Sequence, residues 1–265
     1  MIRNLYLPLF ALLIMVSASG CFNIIEKLQL NKDGSGEWEM TIDMSGMMSF
    51  MSMMAEEGDD WENQSENEVV KLSDLPDSLM AKLEYPEISK NGSISLTVDT
   101  DKEIMEMGWK LSFNSVNDIH KFMADSEVAQ DALEGGSFLE DLAGGDEEEY
   151  DDEYEDEEED GGGFFGGGDA EPYLFWKSGE LSRVPSESMD FTDMMGDEEG
   201  DEESIDMMKM FFSDAKYTIE YTLPGKIKKV SDPSYTVKGK VVSKDIDFLD
   251  MIEGKEDGSI KIKYK

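Results

Sequence analysis

The residues of this chain that could do chemistry are few, and the reactive ones are single. It has one cysteine, Cys21, and one histidine, His120. A thiol can carry an acyl group, bind a soft metal or attack as a thiolate, and its surroundings decide which. Cys21 closes the run Ser17-Ala18-Ser19-Gly20-Cys21. Before it, Met1 to Asn4 is a short polar start with Arg3, and Leu5 to Val16 is unbroken apolar sequence. A basic start, an apolar centre and a small-residue exit predict a secretory signal over residues 1–20. The apolar run is too short to span a bilayer comfortably. His120 lies beside the apolar positions of a helix, with no nucleophile near it, so it reads as a boundary residue rather than a general base.

Oxygen and sulfur ligands offer two further chemistries. Asn31, Asp33, Ser35 and Gly36 match positions one, three, five and six of an EF-hand calcium loop, but position twelve is Ile42 and a strand pattern follows. A tight turn, for which Asp and Gly supply the backbone angles, is the preferred reading. From Met44 to Met54, six of eleven residues are methionine. Met47, Phe50, Met51 and Met54 share one helical face. Thioethers can hold Cu(I), or form an adaptable apolar surface, or simply pack a helix on a sheet. Packing is preferred, because the segment has no cysteine and no nearby histidine to support copper. No metal site, cofactor or catalytic residue is expected, and GxSxG, HExxH and P-loop motifs are absent from the sequence.

The elements that position these residues follow from periodicity. Ile24 to Leu30 is mostly apolar, and Trp38, Met40 and Ile42 alternate with polar neighbours, so the two form a hairpin across Asn31 to Gly36. Ala55 to Val69 is acidic and polar and reads as a loop. Leu75, Leu79 and Leu83 mark a short helix with Asp74 as its candidate cap and Pro76 in its first turn. Ile94, Leu96 and Val98 form a strand whose partner carries Trp109, Leu111 and Phe113. Ser115 to Asp118 resembles a capping box, opening a helix that buries Ile119, Phe122 and Met123.

Composition then changes. Thirteen of the fifteen residues from Asp146 to Asp160 are acidic, and a glycine-rich stretch with Phe164-Phe165 follows. Self-repulsion and backbone entropy predict a disordered insertion over 134–172. Order resumes with Tyr173 to Trp176, a turn, and Glu180 to Val184. Ile205, Met208 and Phe212 keep helical spacing. Tyr217, Ile219, Tyr221 and Leu223 form a strand stopped by Pro224-Gly225. Tyr235 to Val242 reads as another strand, extended through Ile246 and Phe248, and Ile260, Ile262 and Tyr264 as the last. From Lys226 onward there are ten lysines against seven acids. This basic region could answer the acidic insertion, face lipid phosphates, or be the lysine-bearing outer face of a sheet, and the last is preferred.

The formal charge of −39 argues against nucleic acid and against charge-driven adhesion to anionic lipid. With one cysteine no intramolecular disulfide exists, so stability must come from a core. The expected fold class is α+β: a largely antiparallel sheet of about eight strands, three or four helices on one face, and the acidic insertion looped out.

Two resemblances add to this. The segment ending Gly20-Cys21 resembles a bacterial lipobox, with Ala18 where such boxes often have Leu. It implies a lipoprotein signal peptide over 1–20 and a single domain over 21–265, attached to a membrane by acyl chains such as palmitate on Cys21. The alternative is an ordinary cut near Gly20 that leaves a free thiol. The chain also resembles the mycobacterial LppM-type lipoprotein domain and its bacterial relatives. It does so in the strand into Asp33-Gly34-Ser35-Gly36, in Lys110 to Phe113 running into the helix capped at Ser115, and in Tyr217 to Leu223 with Pro224-Gly225 before a final hairpin. The methionine helix and the acidic insertion depart from that pattern. The resemblance implies an α+β lipid-binding module with a role at membrane lipids. Phe22, with no acidic retention signal, implies by similarity to sorting rules the outer membrane, facing the periplasm. The expected function is a non-enzymatic envelope lipoprotein that binds an apolar ligand or lipid. Met47, Met51, Met54, Trp38, Trp109, Phe113 and Trp176 are its candidate lining, with buried core as the competing explanation for each. The alternative is a structural or assembly lipoprotein that uses the acidic loop as a tether for an envelope protein or a cation.

Overall fold

The computed structural model describes residues 22–46, 48, 65–130, 172–184, 209 and 212–265. Cys21, Met47, Met51, Met54, the expected helix over 205–211 apart from Lys209, and the insertion as far as Glu171 lie outside these residues. Twelve strands are described: β1 (Asn23–Leu30), β2 (Gly36–Asp43), β3 (Ser65–Lys71), β4 (Gly92–Asp99), β5 (Ile104–Phe113), β6 (Leu174–Lys177), β7 (Glu180–Arg183), β8 (Lys216–Thr222), β9 (Ile227–Val230), β10 (Thr236–Lys238), β11 (Val241–Asp247) and β12 (Ile260–Tyr264). Four α-helices accompany them: α1 (Asp77–Met80), α2 (Pro86–Ser89), α3 (Asp118–Gln130) and α4 (Phe248–Ile252).

The strands form two sheets. Eight of them run β10-β11-β8-β1-β2-β5-β4-β3, and four run β6-β7-β12-β9. Within the large sheet only β1 and β8 pair in parallel. The fold is therefore α+β with a largely antiparallel eight-stranded sheet, as the alternation implies. The second sheet is an addition, because strand periodicity gives each strand's faces but not its neighbours.

Alternation explains the core. Ile24, Glu26, Leu28 and Leu30 of β1 point inward, in register with Ile42, Met40, Trp38 and Gly36 of β2. On the other side, Ile24, Glu26 and Leu28 oppose Tyr217, Ile219 and Tyr221 of β8. One inward face thus runs across the large sheet. Helix α3 covers the β4 and β5 part of it. Phe122 of α3 meets Trp38 edge-on with ring centroids 6.3 Å apart. A Cβ on Gly92 would lie 2.2 Å from the Phe122 ring, so the helix reaches the sheet only over a glycine. The small sheet covers the β1 and β8 part through Tyr173, Leu181 and Arg183.

Four sequence expectations need correction. Ser65–Lys71 is strand β3, not the end of a loop; as an edge strand it pairs only with β4, so its polar residues remain solvated. Tyr235 to Val242 is not one strand, because Gly239 at φ 67° turns β10 into β11. Phe248 opens α4 instead of extending β11, with Asp247 accepting a hydrogen bond from the Leu249 N–H at 3.1 Å. Asp74 does not cap α1, whose N-cap is Pro76.

Candidate functional site

Two places in the fold concentrate unusual side chains. The first is the end of the large sheet at which the chain enters it. Phe22, the residue after Cys21, is only 2% exposed. Its ring lies 5.3 Å from Phe212 and 5.0 Å from Phe248, and those two are 5.3 Å from each other. The Lys216 N–H donates to the Phe22 carbonyl at 3.3 Å, and the Phe248 N–H to the Ala215 carbonyl at 2.9 Å. Three aromatic rings therefore close this end of the sheet, one of them on Phe22, the residue to which Cys21 is bonded. Asp43 of β2 and Lys216 of β8 flank Asn23 at the same end.

The second is a polar cluster sealed between the sheets. Glu26 is fully buried on the inward face of β1. Its Oε1 accepts from the hydroxyls of Tyr221 at 2.9 Å and Tyr173 at 3.2 Å. Its Oε2 accepts from the Tyr217 hydroxyl at 2.6 Å and from Arg183 Nε at 3.4 Å. Arg183, itself 2% exposed, also donates to the Asp257 carbonyl at 2.9 Å and to the Tyr217 hydroxyl at 3.3 Å. The guanidinium sits over the rings of Tyr217 and Tyr173 at 5.3 and 5.5 Å. Beside it the Tyr235 hydroxyl donates to the Gly258 carbonyl at 2.7 Å.

Burial, reinforced by the Glu26 charge, pushes the phenols of Tyr173, Tyr217 and Tyr221 well above their ordinary range. Burial works against the Arg183 charge, but Tyr217 and Glu26 outweigh it and raise its pKa well above the usual value. A buried ion pair survives only when its remaining lone pairs and protons are satisfied, and here tyrosine hydroxyls satisfy them. Glu26 presents no surface to solvent, and its hydrogen bonds join β1 and β8 to β7.

The comparisons with known proteins are sparse. No family model matches the chain, and no curated protein matches it. Its structure is similar to the NMR structure of the folded domain of Mycobacterium tuberculosis LppM. The match covers 93% of this chain and 91% of that one, with a TM-score of 0.37 and 8% identity.

The candidates named from sequence distribute as follows. Trp38 and Trp109 have no exposed surface and Phe113 is buried, so all three are core between the large sheet and its cover. The indole N–H of Trp38 has no hydrogen-bond acceptor among the described residues. Trp176 is half-buried, donates to the Tyr264 hydroxyl at 2.7 Å, and lies over the β1–β2 turn. Gly34, at φ 90°, occupies that turn, and a Cβ there would stand 2.5 Å from the Trp176 ring. Trp176 is thus a contact between the sheets. Asp33 spends one carboxylate oxygen on the N–H and hydroxyl of Ser35, at 3.1 and 2.7 Å. That closes the loop on itself, as a tight turn requires. Ile42, at position twelve of the loop, is buried on β2. His120 is half-buried, and desolvation followed by the Lys121 charge lowers its pKa. Among the described residues no three metal-ligating side chains converge, and no helix is long and apolar enough to cross a membrane.

Sequence reasoning missed Glu26, Arg183 and another buried acid, Asp125. Asp125 of α3 accepts the N–H of Glu84 at 2.7 Å, the N–H of Tyr85 at 3.0 Å, and the Ser89 hydroxyl, so it pins α2 to α3. The signal for Glu26 was present: a carboxylate at an inward position of an alternating strand.

Proposed function

We propose that this chain is a lipid-anchored protein of the bacterial envelope without catalytic chemistry. Its two-sheet body is held at the outer membrane, facing the periplasm, by acyl chains on Cys21, and it offers its acidic insertion to an envelope partner. The observation that carries this reading is the burial of Phe22. One peptide step of about 3.8 Å separates the Cα of Cys21 from that of a core residue. An acylated Cys21 would therefore seat the sheet end directly on the bilayer, without a spacer. Acyl chains suit a body of charge −39, which anionic lipid would repel.

A scaffold is preferred over a binder of apolar ligands because Trp38, Trp109 and Phe113 are already spent on the core. Intact mass spectrometry of protein extracted from membranes tests the anchor. A mature chain beginning at Cys21 and carrying acyl mass is expected, and Cys21→Ser should shift the protein to the soluble fraction. Equal membrane retention of Cys21→Ser, or a mature chain that begins elsewhere, overturns it. Deleting Glu134 to Glu171 should abolish partner capture while leaving membrane attachment intact.

A further inference from the structure

The outer faces of the two sheets carry charge differently. Across the large sheet, Glu220 of β8, Lys27 of β1, Glu39 of β2 and Lys110 of β5 stand in one register row. Signs alternate at every step, and Lys27 pairs with Glu39 at 3.7 Å. The corresponding row of the small sheet is Lys177 of β6, Glu180 of β7, Lys263 of β12 and Lys229 of β9. Here Lys263 and Lys229 are directly opposite, an arrangement that destabilises a sheet. Lys261 adds a further positive charge on the same face, beside Ser182. Glu180 is the one acid in these positions, and it already serves both Lys261 and Lys263, at 3.4 Å each. Lys177 and Lys229 form no ion pair among the described residues. The face also bears Phe175, 47% exposed. A chain of charge −39 thus leaves an unmatched cationic sheet face exposed.

We propose that the acidic tract Asp146 to Asp160 of the same chain docks on this lysine face of the small sheet. Charge complementarity favours it, because thirteen acids meet a face on which four lysines have a single acid, Glu180, among them. Chain geometry favours it as well. Asp160 lies about 14 residues before Leu174, the first residue of β6, which is an edge strand of this sheet. A glycine-rich linker of that length has an r.m.s. reach of about 20 Å. Four strands spaced about 4.8 Å apart are about 15 Å wide, so the tract reaches the whole face from its own attachment point. A tether of this length holds the tract at roughly millimolar effective concentration, well above that of an external anion present in trace amount. Phe175, on the edge strand, offers the two tyrosines of the tract, Tyr150 and Tyr154, an aromatic contact. The proposal is independent of acylation at Cys21, and the docked tract is the resting state that an envelope partner would have to displace.

The test uses the mature chain with Cys21→Ser and a nitroxide on Tyr154→Cys. At low salt the amide signals of Lys261, Lys263 and Lys229 should be strongly broadened, while those of Lys27 and Lys110 should not. About 1 M salt, where the Debye length falls to about 3 Å, should restore them. Lys229→Ser, Lys261→Ser and Lys263→Ser together should abolish the broadening while the amide shifts of the large sheet stay those of the folded chain. Unbroadened β12 amides at low salt, or broadening that persists in the triple variant, overturn the proposal. Phosphatidylglycerol vesicles that bind the intact chain through these lysines, with the tract still in place, would likewise overturn it and make lipid the occupant.

Discussion

The space between the two sheets and the outside of the small sheet treat charge in opposite ways. Inside, one carboxylate meets one guanidinium, and three phenols take up what remains of the carboxylate's accepting capacity. Outside, Lys261 and Lys263 share one acid, Glu180, and Lys263 also stands face to face with Lys229. Burial explains the contrast. An unmatched charge costs several kcal/mol in a low-dielectric interior, whereas water screens a surplus at the surface for about a few tenths. The interior pairing is thus required by the fold, and the exterior surplus is free to serve binding.

The largest expected effect comes from unbalancing the interior. Glu26→Gln keeps the shape but leaves Arg183 without its counter-charge, and should cost about 3–5 kcal/mol. Urea unfolding of the mature chain measures it. A loss below about 1 kcal/mol would mean that water or another group reaches the cluster. Arg183→Met should cost a similar amount, and the double variant less than the sum, since removing both charges leaves neither stranded.

High pH attacks the same cluster more gradually. The phenols of Tyr173, Tyr217 and Tyr221 are raised well above their ordinary value of 10.0, and Tyr235 is raised too. Above pH about 10 the unfolded chain releases these protons while the folded chain retains them. Stability is therefore complete below that pH and falls as pH rises toward the folded pKa values, by about 1.4 kcal/mol per phenol per pH unit. Tyrosinate absorbance should appear together with loss of tertiary signal rather than before it. Removing a single donor has a smaller effect: Tyr221→Phe deletes one hydrogen bond to a charged acceptor and should cost about 1.5–3 kcal/mol.

Much of this contrast was legible in the sequence, though its pairings were not. Alternation put Trp38, Met40 and Ile42 on one face and Glu37, Glu39 and Thr41 on the other, and the structure keeps that division. The same rule puts Glu26 inward between Ile24 and Leu28, but reading that segment only as apolar hides it. Its partner could not be read, because Arg183 lies 157 residues away across the acidic insertion. Strand β3 escaped notice for a physical reason: an edge strand with solvated glutamates looks like a loop until its neighbour β4 is known. The short pair β9 and β10 merged with its surroundings because three or four residues carry too little periodicity to separate a strand from a turn. The lysines of the small sheet were readable as a sheet's outer face. Their surplus became visible only once register placed Lys229 opposite Lys263.

The smallest effects sharpen the comparison most, because they differ in sign. Lys27 lies outward on β1, and its pair with Glu39 is about half exposed on both sides (48% and 42%). Lys27→Ala should cost no more than about 0.5 kcal/mol, one strand position from a carboxylate whose loss costs many times that. Lys229→Ser removes one of two opposed like charges, so it should stabilise by about 0.2–1 kcal/mol if the face is bare. If the acidic tract covers it, the same change removes an attraction and should destabilise at low salt. Repeating it in a chain lacking Glu134 to Glu171 should then restore the stabilising sign. A paired set of melting curves at low and high salt reads both signs. The reversal on deletion separates a face that is merely crowded with charge from one that is occupied.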